Sequence, residues 1–128
     1  MLSFSGSLKI MVCLAPCDMR RGCNGLQALV TEQLGADWRT GTLFVFANKR
    51  RTRLKILYWD GTGLWVLAKR LEQGTFSWPQ SPDPASRKLE LTPAALAMLT
   101  DGIDLRKGTL RPWYEAPAAA NATPPPPC

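Results

Sequence analysis

The sequence predicts an α+β fold: a twisted antiparallel β-meander with a helix packed on one face and a short C-terminal helix. Three observations carry this. Strand-like runs follow one another between residues 42 and 79 with only turn signals between them, unlike the alternation of an α/β sheet. Two stretches, one on either side of these runs, repeat their apolar residues at helical spacing. With 45% hydrophobic residues in 128, the chain can bury one core without disulfide staples.

Taken in order, residues 8–15 form an apolar run of strand formers that Pro16 closes. In CDMRRGCNGLQALVTEQLG, Asp18 suits an N-cap, Leu26, Leu29, Val30, Gln33 and Leu34 recur at helical spacing, and Gly35 is the stop signal. The helix is expected from Gly25 to Leu34. Gly22 and Gly25 weaken an earlier start, because each costs up to about 1 kcal/mol against alanine in a helix interior. Thr42 to Ala47 is the next strand, and Asn48 to Thr52 the turn after it. In TRLKILYWDG, Arg53 and Lys55 alternate with Leu54, Ile56 and Tyr58, which puts bases on one face and apolar groups on the other. DGTG is a turn, LWVLAKRL a third hairpin strand, and GTFSWP a fourth short strand ended by Pro79.

QSPDPASR is a loop, and KLEL has room for a short strand. TPAALAMLTDGID reads as a helix with Thr92 as N-cap, Pro93 at its first position and Gly102 as the stop. Leu96, Leu99 and Ile103 face inward, with Met98 a further candidate. Residues 1–114 are read as a single domain and the Pro/Ala-rich residues 115–128 as a disordered tail, and deletion of Ala116–Cys128 is expected to leave thermal stability unchanged. No internal repeat is apparent.

Charge is concentrated in one place. The chain holds 16 Lys and Arg against 10 Asp and Glu, a net +6. Lys49, Arg50, Arg51, Arg53, Lys55, Lys69 and Arg70, set against Asp60 alone, account for that excess within residues 49–70. On an extended strand Arg53 and Lys55 project from the same face about 7 Å apart, comparable to successive phosphates along one nucleic-acid strand. A turn at Gly61–Thr62 brings Lys69 and Arg70 back toward Arg53. The reading favoured is a nucleic-acid contact surface. The bland alternative is a solvated edge strand whose bases deter edge pairing and cover apolar surface. An acidic protein partner and an anionic membrane rank below both. The aromatics Phe44, Phe46, Tyr58, Trp59, Trp65 and Trp78 are read mainly as core, with a base-stacking platform as the alternative.

Several chemistries find no support. There is no histidine, which removes Ser–His and Cys–His nucleophilic catalysis and the commonest metal ligand. Cys13, Cys17, Cys23 and Cys128 do not have zinc-site spacing and read as free thiols. Asp18, Asp60, Asp101 and Asp104 sit at turns and helix ends and do not converge as metal-dependent nuclease carboxylates do. GTGLW lacks the lysine and following helix of a phosphate-binding loop. No cofactor, metal, small-molecule substrate or membrane partner is expected, and the chain is not read as an enzyme. It shows no signal peptide or spanning segment, which points to a cytoplasmic protein.

Three blocks, DMRRGCNGL, LFVFANKRRTRLKILYWDGTGLWVLAKRLEQGTFSWP and LTPAALAMLTDGIDLR, resemble the signature blocks of the TnpB (Orf2-like) accessory proteins of IS66-type bacterial insertion sequences. These are distinct from the RNA-guided nuclease of the same name. Relative to the family pattern, Cys23 replaces an aromatic, Asn24 an acid, Thr52 an acid and Leu105 an aromatic. The resemblance implies a non-catalytic role in transposition beside a separate transposase that carries the catalytic acids. The residues then suggest DNA binding, at insertion-sequence ends or without sequence preference. The basic hairpin residues Lys49, Arg50, Arg51, Arg53, Lys55, Lys69 and Arg70 would carry it, extended by Arg20 and Arg21. The competing reading is an interaction subunit that binds the transposase or another accessory protein of the same element and never touches DNA.

Overall fold

The computed structural model describes residues 8–101. It contains strands β1 (Ile10–Cys13), β2 (Leu43–Ala47), β3 (Arg53–Trp59), β4 (Leu64–Arg70) and β5 (Lys88–Leu91). Helix α1 (Cys23–Glu32) and a short 3-10 turn (Trp38–Thr40) connect β1 to β2, and helix α2 (Pro93–Thr100) follows β5. The five strands form one sheet in the order β4-β3-β2-β1-β5.

The α+β class is as the sequence predicts, and β2–β3–β4 is an antiparallel meander. The sheet as a whole is mixed, because β1 lies parallel to β2, with Ile10 opposite Leu43 and Val12 opposite Val45. A parallel pair needs a long crossover, and α1 supplies it. β1 and β2 read as near-continuous apolar runs because they are covered on both faces.

One face packs under α1, where Leu26, Leu29, Val30 and Leu34 meet Cys13, Phe44, Phe46 and Leu57. The other face packs under α2, where Leu96 and Leu99 join Ile10, Val12, Val45, Leu54, Ile56, Phe76 and Trp78. The sheet is therefore covered on both sides.

Local signals explain most boundaries. Thr92 caps α2, its hydroxyl oxygen accepting from the Ala95 N–H at 3.0 Å. Gly35 has φ +59°, which lets the chain reverse after α1 while the Ala36 N–H donates to the Val30 carbonyl. Asp18 is not the cap of α1. The helix starts behind Gly22 with no side-chain cap, and Asp18 instead accepts from the Arg20 N–H at 2.9 Å.

GTFSWP is not a strand. Phe76 and Trp78 bury their rings in the α2-side core; the Phe76 N–H donates to the Arg51 carbonyl at 2.7 Å and the Trp78 indole to the Cys13 carbonyl at 3.2 Å. The segment is apolar because it roofs the sheet. Gly102, Ile103 and residues 115–128, the last read from sequence as a tail, lie outside the described residues.

Candidate nucleic-acid interface

The basic hairpin is β3 and β4, closed by Asp60. Its carboxylate accepts from the N–H groups of Thr62 (2.8 Å) and Gly63 (2.9 Å) and from the Trp65 indole (2.7 Å). These bonds, the Thr62 N–H first, hold the Asp60 carboxyl well below the usual carboxylate range. Gly61 takes φ +100°, which a side chain at that position rarely adopts.

The turn sets the register. Arg53 is directly opposite Arg70, Leu54 opposite Lys69, and Lys55 opposite Ala68. Since side chains alternate along a strand, Arg53, Lys55 and Arg70 share the face that carries α1. That face is not wholly polar, because Leu57, next in the row, packs under α1. Lys55 Nζ donates to the Arg21 carbonyl at 2.8 Å, which pins the loop before α1 against the basic row. A cleft of about 340 Å³ lies there, lined by Met19, Arg53, Lys55, Ala68 and Arg70, with Leu54 and Lys69 also bordering it. Of the described acids, Glu72 alone reaches this row, 3.7 Å from Arg70 in an exposed pair.

The predicted residues separate into groups. Lys49 and Arg50 are exposed in the turn leading into Arg53. Asn48 builds that turn by accepting from the N–H groups of Thr52 (2.9 Å) and Arg53 (3.1 Å). Arg20 is exposed but bound by two guanidinium nitrogens to Asp18, with a shortest distance of 2.8 Å. That contact holds the Asp18 carboxyl down at about 2. Arg21 stands beside the cleft through its carbonyl, and a β-carbon on Gly25 would lie only 3.0 Å from its own Cβ.

Two residues do not join this face. Arg51 has φ +59° and is half-buried, with its guanidinium 5.1 Å from the Trp78 ring centre and Nη2 donating to the Leu14 carbonyl at 3.4 Å. Burial lowers its pKa, and Nη1 is buried without a partner among the described residues. Lys69 points to the α2 side, where Nζ donates to the Thr100 carbonyl at 2.6 Å, at the end of α2.

The sequence reading missed Met19 in the cleft and the exposure of Trp65, which is 56% open to solvent. No local signal marks Trp65: it is exposed because GTFSWP does not pair with β4, which leaves β4 at the edge of the sheet. Cys13, Cys17 and Cys23 are free thiols, and burial pushes Cys17 up to about 11. Among the described residues no group of three or more Cys, Asp or Glu is placed to hold a metal ion. No helix among them is long and apolar enough to cross a membrane.

Comparison with known proteins adds context to this geometry. A family model described as IS66 Orf2 like protein matches residues 8–109. The chain is 42% identical over 112 residues to the uncharacterized protein y4jC of Sinorhizobium fredii, covering 88% of this chain and 93% of that protein. It is 34% identical over 106 residues to the uncharacterized protein y4hO of the same organism, covering 83% and 90% respectively. No solved structure gives a significant match.

Proposed function

The chain belongs to the IS66 Orf2 like family of insertion-sequence transposition accessory proteins, and on that premise we propose that it binds the DNA backbone through the α1-side row of its basic hairpin. The observation that carries this is the direct opposition of Arg53 and Arg70, with Lys55 two residues along on the same face. Like charges so placed destabilise a sheet unless an anion lies between them. Phosphates fit that need, and guanidinium groups can bind them through paired N–H donors.

Among the described residues, Lys55 keeps two N–H donors without a partner after its bond to the Arg21 carbonyl. Lys49 and Arg50 extend the row at one end. Arg21 borders it, while Arg20 contributes less because Asp18 offsets its charge. Arg51 and Lys69 support the fold around the row. Contacts of this kind position DNA without reading its bases, so the binding is sequence-tolerant. The chain itself performs no catalysis in this reading. It helps hold the element's ends for a separate transposase.

Fluorescence anisotropy with insertion-sequence ends and a scrambled duplex tests this. The full chain is expected to bind both at low salt, with affinity falling steeply as salt rises. The Arg53/Lys55/Arg70→Ala variant is expected to bind much more weakly while keeping its circular dichroism spectrum. Absence of binding at low salt defeats the proposal and makes an acidic surface on a protein partner the next candidate for the basic row.

A further inference from the structure

The two edges of the sheet are built differently. β5 is four residues long and carries Lys88 and Glu90, the short charged kind of edge that discourages pairing with another chain. β4 is seven residues long, and no charge occurs from Leu64 to Ala68. It also bears the exposed large apolar side chains Trp65 (56%) and Leu67 (38%). A long edge strand with five uncharged residues in a row is a template for a further strand.

The ladder fixes which backbone groups of β4 have no partner among the described residues. The Asp60 N–H donates to the Gly63 carbonyl at one end of the hairpin, and the Leu71 N–H to the Thr52 carbonyl at the other. Bonded and non-bonded pairs alternate along antiparallel strands. Trp65, Leu67 and Lys69 therefore direct their N–H and C=O groups to Tyr58, Ile56 and Leu54 on β3. Those of Leu64, Val66, Ala68 and Arg70 point away from the sheet.

We propose that β4 pairs antiparallel with β4 of a second copy of this chain, in the register that sets Leu67 opposite Leu67. This register pairs all seven residues of the strand, and the strand is self-complementary in it. Val66 of one copy and Ala68 of the other exchange backbone hydrogen bonds. Leu67 packs on its counterpart at the two-fold axis. On both flanks Trp65 faces Lys69, whose stem and ammonium lie against the indole. Trp65 is already fixed by Asp60, and Lys69 by the Thr100 carbonyl. Lys69 and Arg70 of the two copies fall at opposite ends, so no like charges meet. Centring the pair on Lys69 would set Lys69 against Lys69, and centring it on Trp65 would leave Lys69 and Arg70 unpaired. An isologous contact of this kind closes as a dimer. The pairing does not depend on DNA binding.

Sedimentation equilibrium of the reduced, DNA-free full chain across the micromolar range tests it. A monomer–dimer equilibrium is expected, and Leu67→Lys, which sets two charges face to face at the axis, is expected to weaken it roughly tenfold or more. Leu67 is exposed, so circular dichroism should be unchanged in that variant. A cysteine pair reads the register independently. With Cys17, Cys23 and Cys128 replaced by serine, Leu67→Cys is expected to give a disulfide-linked dimer, its Cα atoms lying about 4.5 Å apart. Trp65→Cys in the same background is not, because the two copies of position 65 stand about 13 Å apart along the strand. A chain that stays monomeric, a dimer indifferent to Leu67→Lys, or cross-linking at 65 and not at 67 overturns the proposal.

Discussion

Arg53 and Arg70 are direct partners across the β3–β4 ladder, so two guanidinium groups leave one face of the sheet side by side. Directly opposed like charges destabilise a pair, and cross-strand charge effects run to about 1 kcal/mol. The exposed contact to Glu72 offsets little of it. Arg70→Thr is therefore expected to leave the fold as stable as before or slightly more so. The same change should flatten the plot of log affinity against log salt by about one unit of slope. Thermal melts and anisotropy titrations, run together, separate the two effects.

Arg51 and its neighbour Arg50 are expected to differ. At φ +59° a β-carbon costs roughly 1–2 kcal/mol that glycine avoids. Arg51→Ala loses the stacking on Trp78 and keeps that strain, whereas Arg51→Gly loses the stacking and sheds the strain. Arg51→Ala should be less stable than the parent in urea, and less stable than Arg51→Gly by about 1 kcal/mol. Where folded, both should keep more DNA affinity than the Arg53/Lys55/Arg70→Ala variant. A collapse of binding in Arg51→Gly at unchanged stability would place this side chain on DNA after all.

Lys69→Met is expected to act on the helix and not on the DNA-facing row. The ammonium bonds the Thr100 carbonyl at the negative end of α2, an interaction worth about 0.3–1 kcal/mol at a helix terminus. Methionine keeps the stem and removes the charge. Amide exchange in the last turn of α2 should quicken, while the salt dependence of DNA binding stays as in the parent.

Asp18 gives a pH signature. Its carboxyl titrates near 2 in the folded chain, against an ordinary value of 3.8, because the Arg20 side chain and N–H bond the ionised form. A depressed folded value means that the stabilising effect is complete above the unfolded value and is lost as pH falls through the folded one. The window is therefore from about 3.8 down to about 2. A carboxyl NMR titration should show this midpoint in the parent and a rise toward 3.8 in Arg20→Gln. An unmoved midpoint would mean that Arg20 does not hold the group.

Much of the hairpin is legible in the sequence because its causes are local. The DGTG turn fixes the register, and the register brings Arg70 to Arg53. Thr92 and Pro93 announce α2 for the same reason. What stays hidden depends on contacts distant in sequence. Arg50 and Arg51 are the same residue in adjacent positions, and contacts far along the chain, with Trp78 and the Leu14 carbonyl, make one of them structural. GTFSWP has strand-forming residues, but its rings are claimed by the core before its backbone can join a ladder. Nothing local announces that β1 runs parallel to β2 either, because the crossover through α1 decides it. The placement of Lys69 and Arg70 on opposite faces follows from simple alternation along β4.

β1 is an interior strand, flanked by β2 on one side and by β5 on the other, with Ile10 paired to Leu91. During synthesis, β2, β3 and β4 can close on one another as they emerge, since each pairs with the next. The first strand made must wait for the last, and contacts so far apart in sequence form slowly. A copy whose translation stops before KLEL leaves one flank of β1 open, with apolar side chains uncovered and backbone groups unpaired. Such a copy is a ready substrate for proteolysis. Because β5 and α2 come last among the described elements, the α2-side core closes only once the chain has been made through to Thr100.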